Sequence, residues 1–228
     1  MIFREIKHGN IPDFLRKLTK VSLKDTLKGK VEELSFYALP DYLAIGDNKD
    51  HLYMPMTPVL AQRIAELLHC TLPTRKMADL IYQQAIIKLA PLPIPPTPAM
   101  TTVRVFEQHS RQVSAQLKDQ QEGHLQSLLT AGNKKDIIIS NKIYTENTAK
   151  VVIYGWHQLN GKAIQPVYNK HTYTWADYSH GVRLIYEKAT LNGKKVPIKT
   201  ILNNPIRHVL LSDEGKIERA YYPILSYP

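Results

Sequence analysis

The sequence predicts an α+β fold, with a mostly antiparallel C-terminal sheet and helices from the middle of the chain packed on it. Three observations predict it. Residues 134–228 carry continuous apolar runs, DIIIS and KVVIYGW, bounded by turn residues. The dipeptides Asn160-Gly161 and Asn192-Gly193 are hairpin signals. Residues 57–90 instead repeat apolar side chains at helical spacing.

In chain order, residues 31–39 and 42–45 read as strands, and 46–50 (GDNKD) as a turn leading to a short strand over 52–56. Residues 11–18 suit a short helix with Pro12 first. Thr57-Pro58 caps a helix to His69, and Thr74 caps a second to about Ala90. Five prolines between 91 and 98 form a stiff extended strap. A long polar helix follows over 103 to about 122, then a shorter one over 124–130 ending at Gly132. Beyond it, 151–158 should pair with 163–168, and 182–190 with 195–199. After the turn at 213–215 a last strand and an aromatic tail are expected. One domain over 1–228 is predicted: N-terminal strands (1–56), helix pair (57–90), strap (91–98), helices (99–133) and a β-rich site region (134–228).

The 228 residues carry 30 Lys and Arg against 20 Asp and Glu, a formal charge of +10. This balance favours anionic partners, namely nucleic acid, an acidic lipid surface or an anionic polymer such as cell-wall material, without choosing among them. The helix pair invites a helix-turn-helix reading, but Met77, Leu80, Ile81 and Ile87 make the second helix a core helix, so DNA is not expected. No apolar run approaches the ~18 residues of a bilayer span. The N-terminus lacks a signal-peptide core, so a cytoplasmic protein or a mature envelope or secreted form fits. The single Cys70 excludes an intrachain disulfide and a Cys-rich zinc site. No cofactor is expected, and the oligomeric state is open.

The chemistry concentrates in residues 151–185. They hold His157, His171, His180, both tryptophans, Asp177, Ser179 and Arg183. On a strand, Tyr178 and His180 face one way and Asp177, Ser179 and Gly181 the other. His180 is the candidate acid–base, looking into an open, wet cleft, with Gly181 letting a ligand or another backbone approach. Arg183 and Arg75 are candidate anchors for a substrate carboxylate. Tyr154, Trp156 and Tyr178 supply walls. The competing structural reading has these histidines only tying backbone carbonyls. His157, His171, His180 and Asp177 also make a metal set on paper, but His-x-x-x-His spacing is missing and no metal is assigned. Ser179 as nucleophile lacks the G-x-S-x-G elbow and faces away from His180.

The run Ser179-His180-Gly181-Val182-Arg183 resembles the Ser-His-Gly-Cys-x-Arg strand of L,D-transpeptidases of the YkuD type, which cross-link peptidoglycan. The family's nucleophilic cysteine is missing here, so its acyl-enzyme chemistry does not carry over. His157 or His171 would match the family's upstream histidine. Separately, a cysteine before a helix and a histidine on a later strand is similar in chain order to papain-like and NlpC/P60 peptidases. That likeness implies Cys70 as nucleophile, His180 as base, and Asp177, His157 or Gln165 as the orienting group. The helix N-terminus, Arg75 and Lys76 should then lower the thiol pKa. The expected function is a hydrolase or acyl-transferase of peptide or amide bonds, in cell-wall material. The alternatives are a non-catalytic basic module binding an anionic polymer through Trp156, Trp175 and Tyr173, or a His-ligated metal hydrolase.

Overall fold

The computed structural model describes residues 1–120 and 128–224. In chain order the elements are α1 (Ile2–Lys7), β1 (Thr19–Leu27), β2 (Lys30–Ala38), β3 (Ala44–Gly46), β4 (His51–Tyr53), α2 (Pro58–Leu67), β5 (Cys70–Thr71), α3 (Arg75–Gln84), β6 (Ile87–Lys88), α4 (Val103–Gln120), β7 (Thr130–Ala131), β8 (Lys135–Ile137), β9 (Ile153–His157), β10 (Ala163–Tyr168), β11 (His180–Gly181), β12 (Ile185–Tyr186), β13 (Lys188–Leu191), β14 (Lys194–Pro197) and α5 (Ile198–Leu202). Helices pack on mostly antiparallel sheet, the α+β class.

The larger sheet has the order β14-β13-β2-β12-β5, with β1 pairing β2 along its whole length. Strands from the two ends of the chain therefore share one sheet, while β3 and β4 pair in a small sheet of their own. The second sheet runs β10-β9-β8-β11, antiparallel except for the parallel β11–β8 pair. Asn192 and Gly193 both take positive φ, 49° and 79°, as a two-residue turn matched to strand twist requires. The Asn160-Gly161 hairpin closes through a longer loop, with Gln158 N–H bonded to the Lys162 carbonyl at 2.9 Å.

Thr57 caps α2, its hydroxyl accepting from Leu60 N–H, and Pro58 occupies the first turn. Thr74 caps α3 by accepting from Met77 N–H at 3.2 Å. Met77, Ala78, Ile81 and Tyr82 are the buried side of α3, which packs on β9. This helix ends at Gln84 instead of about Ala90: Ala85 turns extended and Ile87 pairs with Thr130 in β7. Gln84 closes the outer side of β1, donating to Ser22 O at 2.8 Å and accepting from Ser22 N–H at 3.0 Å.

Residues 11–18 form only a 3-10 turn, Asp13–Arg16. The expected end of the long helix at 121–122 and the start of the helix over 124–130 lie outside the described residues; at 130 the chain is already strand. No strand follows the 213–215 turn as far as residue 224. There Tyr222 is buried, donating its hydroxyl to Ile138 O at 2.8 Å. The proline strap runs without regular structure and is held by Tyr178, whose hydroxyl accepts from Ile94 N–H at 2.7 Å and donates to Ile94 O at 3.0 Å. Among the described residues no helix is long and apolar enough to cross a membrane.

Candidate functional site

Strand β9 carries Tyr154, Trp156 and His157, and its backbone breaks the ordinary alternation. Gly155 has φ 104° and Trp156 φ 56°. Side chains three apart on a regular strand point to opposite faces. Two successive left-handed residues re-aim the strand like a bulge, so Tyr154 and His157 reach the same oxygen. The Tyr154 hydroxyl donates to Asp79 Oδ1 at 2.7 Å, and His157 Nε2 lies 2.9 Å from it. A carboxylate only accepts, so Nε2 carries the ring proton and Nδ1 turns inward.

Helix α3 supplies the other half of this site. Arg75, Asp79 and Tyr82 recur at positions i, i+4 and i+7 and so share a face. The Tyr82 ring stacks on His157 with centroids 4.4 Å apart and planes at 18°. Arg75 Nε lies 3.2 Å from Asp213 Oδ2 and 3.9 Å from Asp79 Oδ2, with its guanidinium over the Tyr154 ring. Burial, then the Asp79 bond, pushes the Tyr154 hydroxyl up to about 12. These groups open onto a cleft of about 540 Å³ lined by Asp79, Tyr82, Gln83, Lys88, Tyr154 and His157 among others. Behind His157 stands the buried Asp136, whose carboxyl burial pushes up to about 6. Its Oδ2 accepts from the Tyr42 hydroxyl at 2.9 Å. The Gly155 backbone fits between them: a Cβ there would stand 3.4 Å from Asp136 Oδ2 and 3.5 Å from His157 Nδ1.

A second polar group is sealed under the strap. Asp177 accepts from Ser179 N–H at 2.9 Å and Oγ–H at 2.6 Å, and from Trp175 Nε1–H at 3.1 Å. Against the cost of burial, the neighbouring His180 and these hydrogen bonds hold its carboxyl down at about 2. His180 is 0% exposed, so the open hollow expected around it is absent. Its Nε2 is 3.5 Å from Asp177 Oδ2, and neither ring nitrogen makes a hydrogen bond. Burial lowers its pKa to about 4. Lys134 is also fully buried, with Nζ 2.9 Å from His109 Nδ1 and 2.6 Å from Tyr178 O. Burial drops that ammonium to about 7, and burial followed by the adjacent Lys134 charge drops His109 to about 3.

The structure thus divides the predicted residues into three places. His157, Tyr154 and Arg75 meet at the open cleft. His180, Asp177, Ser179, Tyr178 and Trp156 belong to the sealed group. Cys70 stands apart on β5, opposite Tyr186 in the larger sheet, with its thiol on Leu68 O. It shares no hydrogen bond, ion pair or electrostatic neighbour with His180. Instead of the lowered value expected beside a helix N-terminus, burial and then Glu187 push the thiol up to about 12. Arg183 is corrected as well. It is buried, its two terminal nitrogens donate to Leu39 O at 2.9 Å and Thr130 O at 2.6 Å, and it lies over the Tyr42 ring, so it is held inside the protein and away from any substrate. Gly181 admits protein, not a ligand: a Cβ there would meet Tyr42 Cδ1 at 2.5 Å and Lys134 Cβ at 2.7 Å. The paper metal set does not converge, since among the described residues no three His, Cys, Asp or Glu are placed to hold an ion.

Asp79, Tyr82, Lys134, His109 and Asp136 escaped the sequence reading. For the first two a signal existed, the i, i+4, i+7 spacing of Arg75, Asp79 and Tyr82 on one helix. No protein family, curated protein or solved structure matches the chain.

Proposed function

We propose that the protein is a hydrolase of peptide or amide bonds in an anionic, cell-wall-type substrate, working at the Asp79–His157 cleft. The observation that carries this reading is the Asp79 carboxylate, held on Oδ1 by both His157 and Tyr154 while its residue lines an open cleft. With Oδ1 occupied, Oδ2 is the base that takes a proton from water as the water oxygen attacks the amide carbon. The same proton goes to the leaving nitrogen as the C–N bond breaks, giving an acid and an amine. Arg75 and Lys88, at the rim and wall of the cleft, suit the substrate's carboxylates. This reading keeps Arg75 as the carboxylate anchor, gives His157 and Tyr154 the new task of holding the base, and dispenses with His180 as base and Cys70 as nucleophile.

The test is amine release from purified peptidoglycan peptides, followed by mass spectrometry. Asp79→Asn should cut turnover by about 100-fold or more, the usual worth of a positioned base, while Cys70→Ala leaves it intact. No turnover by the unaltered protein, or full turnover by Asp79→Asn with native circular dichroism, overturns the proposal. A second reading, a module that binds an anionic polymer without turnover, is favoured by a groove of about 510 Å³ beside α4. Lys49, Arg111 and Lys118 line it together with Asp50, and Arg111 is paired to Glu107. It predicts binding that weakens steeply with salt and survives Asp79→Asn.

A further inference from the structure

We propose that the outer face of the larger sheet binds single-stranded nucleic acid across strands β1, β2, β13 and β14. The proposal does not rest on the hydrolase reading, and it uses a surface other than the groove beside α4.

Strand register assembles this face. Ser22 stands opposite Ser35, Ser35 opposite Thr190, and Thr190 opposite Lys195. Partners on neighbouring strands share a face, so three hydroxyls and an ammonium lie in one row across four strands. At ~4.8 Å between strands that row is about 14 Å long. On one side of it Tyr37 stands opposite Lys20, and Lys195 reaches over the Tyr37 ring with Nζ 5.1 Å from its centre. On the other side Lys24 stands opposite Glu33, paired to it at 2.9 Å. The alternate residues Val21, Leu34, Phe36 and Ala189 point into the core. Lys20, Ser22, Lys24, Glu33 and Lys195 are exposed. The face carries an open hollow of about 450 Å³ lined by Lys20, Ser22, Lys24, Glu33, Ser35 and Thr190 among others.

Each group suits one part of a single-stranded chain. Among the described residues Lys20 and Lys195 have no carboxylate partner, and the hydroxyls of Ser22, Ser35 and Thr190 spend no hydrogen bond on the protein. Ammonium groups neutralise backbone phosphates, and serine and threonine hydroxyls donate to phosphate oxygens. The half-buried Tyr37 presents an aromatic ring, on which a base of any identity can stack. Glu33 is the acidic member of these rows. Its pair with Lys24 is about two-thirds exposed on both sides, 65% and 66%, so it opens at little cost. A carboxylate freed there accepts from the exocyclic amine of cytosine. A sulfated polysaccharide offers Tyr37 no aromatic ring, a planar lipid surface does not enter a hollow, and a duplex keeps its bases stacked inside.

The test is fluorescence anisotropy of a labelled single-stranded cytidine oligodeoxynucleotide with the full-length protein across a chloride series. Saturable binding is expected, with a duplex of the same sequence and phosphatidylserine vesicles binding more weakly. Lys20→Met combined with Lys195→Met should lower the slope of log K against log salt by about 1.4, at ~0.7 per phosphate contact on a single strand. Lys49→Met combined with Lys118→Met removes the same charge from the groove beside α4 and should leave that slope unchanged. Tyr37→Leu should weaken binding at least about fivefold, the worth of one stacked base, while Tyr37→Phe retains it. Absence of binding, an equal slope change from the two lysine pairs, full affinity in Tyr37→Leu with native circular dichroism, or duplex or vesicles binding as tightly as the single strand would each overturn the proposal.

Discussion

Acid should unfold this protein through two imidazoles that the fold keeps neutral. His109 and His180 are both fully buried, and burial lowers them to about 3 and about 4 from an unfolded value near 6.5. A histidine with a depressed native pKa takes up its proton only on unfolding. Its contribution is therefore complete above pH 6.5 and is lost as pH falls towards the native value. At ~1.4 kcal/mol per pH unit per ring, lowering the pH from 7 to 4.5 withdraws about 5 kcal/mol from the pair. Asp136 works in the opposite direction. Burial raises it to about 6, so protonation over the same interval returns about 2 kcal/mol, leaving a net loss of about 3 kcal/mol. Urea unfolding followed by circular dichroism at the two pH values measures this directly. His180→Phe keeps the ring's shape and breaks no hydrogen bond, so it should shrink the loss by about 2.5 kcal/mol. Equal losses in the parent and in His180→Phe would refute the reasoning.

Two further outcomes follow from the geometry. With its thiol pushed up to about 12, Cys70 at pH 8 should react with iodoacetamide about a thousandfold more slowly in the native protein than in urea; comparable rates would mean that the thiol is not held protonated. Gly181→Ala drives a methyl into the Tyr42 ring and the Lys134 stem, and should cost about 1–3 kcal/mol in urea titrations.

The parts of the fold governed by local chemistry were legible in the sequence. Thr57-Pro58 and Thr74 mark helix starts because a hydroxyl satisfies an exposed N–H whatever the surroundings. Asn192-Gly193 marks a hairpin because few other pairs tolerate two positive φ values. Strand β1 was missed because it lies at an edge, with only Val21 among its nine residues fully buried, so its pattern reads as a polar loop. The overrun of α3 came from Ile86 and Ile87, which continue the apolar pattern although Ile87 has joined another strand. At the candidate site, the cluster on residues 151–185 supplies Tyr154 and His157 of the cleft, but polarity was mistaken for access. His180 is sealed in beside Asp177, three residues away, with its ring nitrogens bonding nothing; Arg183 is inside because carbonyls from distant segments meet it there, and its pairings with Leu39 and Thr130 leave no local trace. Nor does the left-handed turn of Trp156, the conformation that puts Tyr154 and His157 on one carboxylate, since tryptophan is a residue type from which no one reads positive φ.

The glutamine amide lying along Ser22 has a meaning for the life of the molecule in a crowded solution. An amide side chain presents the same donor and acceptor as a peptide group, so Gln84 imitates one link of a neighbouring chain at the middle of the outermost strand. A second molecule approaching that border to extend the ribbon would find the rung already taken. With Lys20 and Lys24 projecting nearby, self-association into fibres is discouraged where this architecture would otherwise invite it.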